Sequence, residues 1–267
     1  MQRLMAQFFA QLAHSNAILV RVQATQGSVP REVGAWMAVF ADCTVATVGG
    51  GRLELDAIAH ARALLQSPNL ERLQHYPLGP SLGQCCGGQV TLVFSPVSAQ
   101  DQVALAQQLR PAQMPVALFG SGHVGTAIVH VLGPLPVALS WIDSRDQPFP
   151  PDLPIGVHFE HSNPVQGAVA HLVPQSRVLV MSFSHAEDLD IVQACLLRQR
   201  ARGDLPFIGL IGSKTKWATF RHRLEAKGFS AAELAHVTCP IGIAGIYDKR
   251  PEVIAVAVAA QLLLLAA

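Results

Sequence analysis

Apolar positions in the first 110 residues follow a mixture of helix and strand periods. Residues 2–14 carry Leu4, Phe8, Phe9 and Leu12 on one helical face. Ala17–Val22, Trp36–Phe40, Thr44–Val48 and Gln89–Phe94 read as strands, and an apolar-periodic helix opens at Arg52 and runs to about Leu65. A helical pattern returns over 99–110. Pro111 and Pro115 bracket a linker, which sets a domain boundary. Beyond it the pattern changes to buried strands alternating with helices. Strands are predicted at 116–119, 137–142, 177–182 and 206–211, with helices at 126–132, 189–200, 214 to about 227 and from Pro251 onward. That alternation predicts a parallel sheet with helices on both faces.

The breaks in this pattern carry the chemistry. Val116–Phe119 runs into Gly120-Ser121-Gly122-His123-Val124-Gly125, a G-x-G-x-x-G turn between a strand and a helix. The next strand ends at Asp143, 18 residues beyond Gly125, near where a ribose-binding acid is expected. Strand, turn, helix, strand and acid in this order predict a Rossmann-like, doubly wound domain that binds a phosphate-bearing ligand. His123 lies inside the turn, beside the expected phosphate. Ser184-His185 and Gly212-Ser213-Lys214 also fall at predicted carboxyl ends of strands, where such sheets bind ligands. Lys214 and Lys216, in a first helical turn, are candidate phosphate contacts.

In the first half, Gly27-Ser28-Val29-Pro30-Arg31 forms a loop between strands, and Gly49-Gly50-Gly51 precedes a helix as a candidate anion cradle. Glu54 follows as a first-turn acid. The most unusual run is Leu82-Gly83-Gln84-Cys85-Cys86-Gly87-Gly88. Glycines there let the backbone approach a ligand, and a thiolate is both a nucleophile and a soft-metal ligand. A pair of small buried hydrophobes is the plainer reading of the two cysteines. The spacing lacks the paired ligand sets of structural zinc.

Composition narrows the class. The chain has 267 residues, half of them hydrophobic (50%) and few charged (14%), so it has ample material for a core. A net charge of +1 without a basic cluster disfavours nucleic acid as a partner. Five scattered cysteines fit a reducing, cytoplasmic setting better than a disulfide framework. Met1-Gln2-Arg3-Leu4 lacks the features of a signal peptide, and Val253–Ala267 is short for a membrane span. That last stretch is expected as a buried or partner-facing helix, and a homo-oligomer is expected from its apolar face.

Taken together, the motifs resemble those of a known family. Gly27–Arg31 with Gly34-Ala35, Gly49–Gly51 with Leu53-Glu54, Gly83–Gly88, Gly120–Gly125, Ser184-His185 with Asp188, Ile211–Lys214 and Pro240–Gly242 occur in the order found in XdhC-type xanthine dehydrogenase accessory proteins of the XdhC/CoxI family. The segment Ala244–Arg250 departs from the acidic-flanked turn expected there. The resemblance implies an α/β protein, with an α+β XdhC/CoxI domain at 1–112 followed by a Rossmann-like domain at 113–267. It implies an accessory protein more than an enzyme. Such a protein binds molybdenum cofactor (molybdopterin), supports its sulfuration by a cysteine desulfurase, and supports its insertion into xanthine dehydrogenase. The expected site comprises Arg31, Gln84, Cys85, Cys86, Gly120, Gly122, His123, Gly125, Asp143, His185, Ser213 and Lys214, with Cys85 and Cys86 toward molybdenum and the whole lying between the domains. The alternative function is an NAD(P)-dependent oxidoreductase using the Rossmann-like half.

Overall fold

A computed structural model describes residues 2–67, 69–78, 87–109, 113–146, 149–150, 154 and 156–265. The chain forms two compact units, residues 2–110 and 111–267.

The first unit contains α1 (Gln2–Leu12), β1 (Ala17–Gln26), β2 (Trp36–Val39), β3 (Thr44–Ala46), α2 (Gly51–Gln66), β4 (Leu73–Pro77), β5 (Gln89–Val97) and α3 (Gln102–Gln108). The strands form one antiparallel sheet in the order β3-β2-β1-β5-β4. Both faces are covered, which explains the unbroken apolar run at the start of β1. Ile18 and Val20 join Met37, Leu92 and Phe94 beneath Leu53, Ala57, Ala61 and Leu64 of α2. Leu19 points the other way, with Trp36, Ala38 and Phe40 against Phe8 and Leu12 of α1 and Leu105 of α3. Periodicity alone missed β4, whose residues alternate between half-buried and exposed at the sheet edge.

The cysteine-pair motif belongs to the connection between β4 and β5. Residues 79–86, with Gln84, Cys85 and Cys86, lie outside the described residues. The base of that connection is closed by Leu78 N–H donating to the Gly88 carbonyl at 2.7 Å.

The second unit contains β6 (Met114–Phe119), α4 (His123–Leu132), β7 (Val137–Asp143), β8 (His158–His161), β9 (Arg177–Val180), α5 (His185–Arg202), β10 (Phe207–Leu210), α6 (Lys214–Ala226), α7 (Ala231–Leu234), β11 (Val237–Thr238) and α8 (Pro251–Leu264). Its six strands are all parallel, in the order β8-β7-β6-β9-β10-β11. Numbered within the unit, this is 3-2-1-4-5-6, the dinucleotide-binding order, in which the strand order reverses between β6 and β9. Alternate residues of β6 serve the two faces. Val116 and Leu118 pack with α4 and α8, while Ala117 and Phe119 pack with α5 and α6. The final helix is thus a core element of this unit: Ala255, Val258 and Leu262 are buried against the α4 side of the sheet. Among the described residues, no helix is long and apolar enough to cross a membrane.

A close backbone approach ties two motifs of the first unit together. A Cβ on Gly88 would fall 2.2 Å from the Ser28 carbonyl oxygen and 2.7 Å from that of Gln26, whereas one on Gly87 would meet none of the described residues within 4 Å. Gly88→Ala is therefore expected to destabilise the protein by about 1–3 kcal/mol, as overpacking does, and Gly87→Ala to change it by less than about 0.5 kcal/mol. Urea unfolding followed by circular dichroism checks the contrast. Equal midpoints for the two variants would remove the packing role of Gly88.

Candidate functional site

The carboxyl edge of the parallel sheet is built around two buried carboxylates. Asp143 ends β7 with its side chain 1% exposed. Its Oδ2 accepts from the Ser121 N–H at 2.7 Å and the Ser121 hydroxyl at 2.8 Å, so it grips the glycine turn after β6 directly. Arg145 closes over it. The guanidinium donates from Nε to Oδ1 and from Nη2 to Oδ2, both at 2.9 Å, and from Nη2 to Ser121 Oγ at 2.8 Å. The Arg145 N–H donates to Oδ1 as well, at 2.9 Å. Burial pushes the Asp143 carboxyl upward, but hydrogen bonds from Arg145 and Ser121 outweigh it and hold the group well below the usual carboxylate range.

Asp188, in the first turn of α5, repeats the device one crossover away. Its Oδ1 accepts from the Ser182 N–H and hydroxyl, each at 2.8 Å. Its Oδ2 accepts from Lys216 Nζ at 2.5 Å, and the same ammonium donates to the Ile211 carbonyl at 2.9 Å. The segments following β6, β9 and β10 are thereby fixed by two serine–carboxylate–cation groups.

These contacts correct two expectations. Asp143 is not a free ribose acceptor: both its oxygens are already taken by donors of the chain itself. Lys216 is not an outward phosphate contact, because it folds inward to Asp188. Arg145 is the residue that motif spacing missed. Its only signal was a basic residue two positions after the strand-terminal acid.

The glycines of the turn divide in purpose. Gly120 has φ +111°, and a Cβ there would lie 2.0 Å from the Met181 carbonyl oxygen at the end of β9. A Cβ on Gly125 would lie 2.2 Å from the Gly120 carbonyl oxygen. Both are required by the protein's own packing. Gly122 is exposed, and a Cβ there would meet none of the described residues within 4 Å. It is the N-cap of α4, and no side chain among the described residues caps that helix. The neighbouring helices differ. Ser184 caps α5 by accepting from the Glu187 N–H, and Ser213 caps α6 by accepting from the Lys216 N–H, each at 3.2 Å. Of the helices that follow β6, β9 and β10, α4 is the one whose first turn receives no side-chain cap among the described residues, which leaves its N–H groups open to an anion. His123, its first residue, is exposed and borders an open groove of about 570 Å³ lined also by Thr126, His130, Pro251 and Glu252.

The other predicted residues of this half are less closely joined. His185 is exposed at the start of α5 and meets the edge of Phe220, ring centroids 6.5 Å apart. Lys214 is exposed at the start of α6, and Ser213 serves as that helix's cap. Among the described residues, no hydrogen bond links His185, Ser213 or Lys214 to the glycine turn.

The first unit gathers its own motifs. The Gly27–Arg31 loop lies against Gly88 on one side and Gly49 on the other; a Cβ on Gly49 would be 2.5 Å from Pro30 Cγ and 3.8 Å from Arg31 Cγ. Arg31 is half-buried there. The candidate anion cradle at Gly49–Gly51 is already filled. Glu54 Oε2 accepts from the Val48 N–H at 3.1 Å, the Gly50 N–H at 3.2 Å and the Thr47 hydroxyl. The cradle is occupied from within by the chain's own carboxylate, which corrects the expectation of an external anion at that turn.

Of the cysteines described, Cys195 is pushed up to about 12 and Cys239 to about 11 by burial, and burial also raises Cys43. None of these three is an activated thiolate at neutral pH. Among the described residues, no group of three His, Cys, Asp or Glu side chains is placed to hold a metal ion.

Asp143→Asn leaves the amide nitrogen facing donors. It is expected to cost about 2 kcal/mol, less than a fully buried ion pair because Arg145 is partly exposed. The sign of the pH effect follows from the lowered pKa of the folded state. The contribution of Asp143 is whole above the ordinary aspartate value of about 3.9 and is lost as the pH falls below it. Urea midpoints between pH 3 and pH 7 should therefore fall less steeply toward acid in the variant. Identical acid limbs in both proteins would contradict the clasp.

Comparison with known proteins agrees with this architecture. Residues 116–262 match the model of the XdhC Rossmann domain, and residues 10–77 match the model of the XdhC and CoxI family. The Escherichia coli (strain K12) protein YqeB, uncharacterized, is 26% identical over 251 residues. That alignment covers 92% of this chain and 42% of YqeB, so the chain spans about two fifths of that relative's length. A crystal structure described as a xanthine dehydrogenase from Bacillus halodurans has a TM-score of 0.78 at 19% identity, covering 98% of this chain and 95% of that one, and shares the fold. With more than half of its length matched by the Rossmann-domain model and the motif-bearing start of its first unit matched by the second, the chain belongs to the XdhC family.

Proposed function

We propose that this protein is a maturation factor for xanthine dehydrogenase that binds molybdenum cofactor, supports its sulfuration by a cysteine desulfurase, and supports its insertion into the client enzyme. The observation that carries the binding step is the open N-terminus of α4 at Gly122, beside two helices that cap themselves with serine. Molybdopterin bears a phosphate, which the first-turn N–H groups of α4 and the positive end of its dipole suit. Ser121, locked by Asp143 and Arg145, keeps the turn in shape before any ligand arrives.

Cys85 and Cys86 are proposed to face the metal, as soft thiolate donors. The three described cysteines have raised pKa values, which leaves this pair as the candidate for thiolate chemistry. Arg31 and Gln84 are proposed as polar neighbours of that pair. Arg31 belongs to the loop that touches Gly88, two residues after Cys86 in sequence. When bound, the cofactor would supply the molybdenum centre; the protein's own part is to hold the phosphate, present thiolates and hand the cofactor on.

The engagement of Asp143 weighs against a nicotinamide-dependent oxidoreductase, since a ribose diol would have to displace Arg145 and Ser121 from a carboxylate they saturate.

Two sets of variants separate the parts of the proposal. Gly122→Asp places a good N-cap in open space, so the fold should persist while the carboxylate occupies the anion position. Cofactor affinity in anaerobic equilibrium dialysis is expected to fall at least about tenfold, a loss of 1.4 kcal/mol or more. Cys85→Ala and Cys86→Ala should lower the bound molybdenum. Undiminished binding in Gly122→Asp would remove the phosphate assignment, and undiminished molybdenum in both cysteine variants would remove the thiolate assignment.

A further inference from the structure

Phe183 stands out on the carboxyl edge of the parallel sheet. It follows β9 at the point where strand order reverses, and it is 70% exposed. Its neighbour Ser182 is anchored to Asp188 through both backbone and hydroxyl. The glycine turn is close by, since a Cβ on Gly120 would lie 3.0 Å from Ser182 Cα. The Arg145 guanidinium lies over the Phe183 ring, 5.2 Å from its centroid. That guanidinium is not free to wander, because it is fixed to Asp143 at two points and to Ser121 at a third. One face of the ring is thus backed by a fixed cation, and the exposure of the residue leaves the other open to solvent.

We infer that Phe183, backed by Arg145, is a stacking platform for the planar nitrogen heterocycle of a ligand whose phosphate sits on the Gly122 turn. The inference rests on the proposed phosphate role of the α4 N-terminus and adds the surface that takes the ring. A flat, electron-poor heterocycle gains by stacking on an aromatic side chain already fixed in place, because little side-chain freedom remains to be lost. The ligand class is a phosphomonoester joined to such a ring, which a pterin or a purine nucleotide satisfies. A dinucleotide suits the site less, because Asp143 offers no free oxygen to a ribose.

The test uses the full chain, as wild type, Phe183→Leu and Phe183→Trp. Neopterin monophosphate is titrated by the fluorescence anisotropy of its own ring, with guanosine monophosphate and inorganic phosphate as competitors. Phe183 is exposed, so neither variant should disturb folding. Phe183→Leu is expected to weaken neopterin monophosphate roughly tenfold, within the range of a lost base–aromatic stack, and Phe183→Trp to stay within about twofold of wild type. Inorganic phosphate should compete with the same inhibition constant in all three proteins, since it uses only the turn. The order of neopterin monophosphate and guanosine monophosphate identifies the ring the platform favours. Equal affinity of wild type and Phe183→Leu overturns the platform, and competition by phosphate in that case leaves the phosphate reading standing. Weakening by Phe183→Leu without competition by phosphate keeps the platform and removes the phosphate reading. Failure of both heterocycles to bind wild type overturns the platform.

Discussion

The carboxylate of Asp143 holds the functional edge of the second unit together. Left alone, a glycine-rich turn at the end of a strand would sample many conformations. Here the end of β7 reaches across to the end of β6 and takes hold of Ser121 by backbone and hydroxyl, while Arg145 neutralises the buried charge. Asp188 does the same for Ser182 with Lys216 as its cation. Removing either cation would strand a buried carboxylate, which is why each clasp has three members. The result is a pre-formed edge whose open positions, Gly122 and the outer face of Phe183, are the ones the protein does not need for itself.

The same logic separates structural from functional features elsewhere. Gly49–Gly51 has the composition of an anion cradle, yet Glu54 fills it from the helix that follows. Of the three helices that follow β6, β9 and β10, two carry a serine that closes the first turn. Motif composition identifies where backbone N–H groups converge. Whether they are available depends on whether a nearby side chain of the same protein reaches them.

That distinction sets what could be read from the sequence. The four central strands of the parallel half, β7, β6, β9 and β10, were legible because they are continuous apolar runs and the turn, helix and acid follow in fixed order; the short edge strands β8 and β11 were not. The doubly covered sheet of the first unit was legible for the same reason in β1, but not in β4, an edge strand that exposes Leu73 and turns Gln74 inward, against the apolar pattern. The internal partners were not legible. Nothing in the spacing of Asp143 and Arg145 distinguishes a carboxylate waiting for a ribose from one closed by its own neighbour. Nor does the position of Lys216 in a first turn reveal that it folds back to Asp188, 28 residues earlier. Such choices are made by side-chain reach in three dimensions. The cysteine pair, for its part, lies outside the described residues, and its proposed role rests on its chemistry and on the loop that meets Gly88.

The proposed role is to hold and hand on a phosphate-bearing molybdenum cofactor, in place of turnover of a nicotinamide substrate. The most direct measurement is anaerobic purification of the full chain from a host that makes the cofactor, followed by quantification of molybdenum, pterin and nicotinamide nucleotide in the same sample. The account predicts molybdenum and pterin in near-equal amounts and little nicotinamide. Stoichiometric nicotinamide nucleotide with neither molybdenum nor pterin would contradict it.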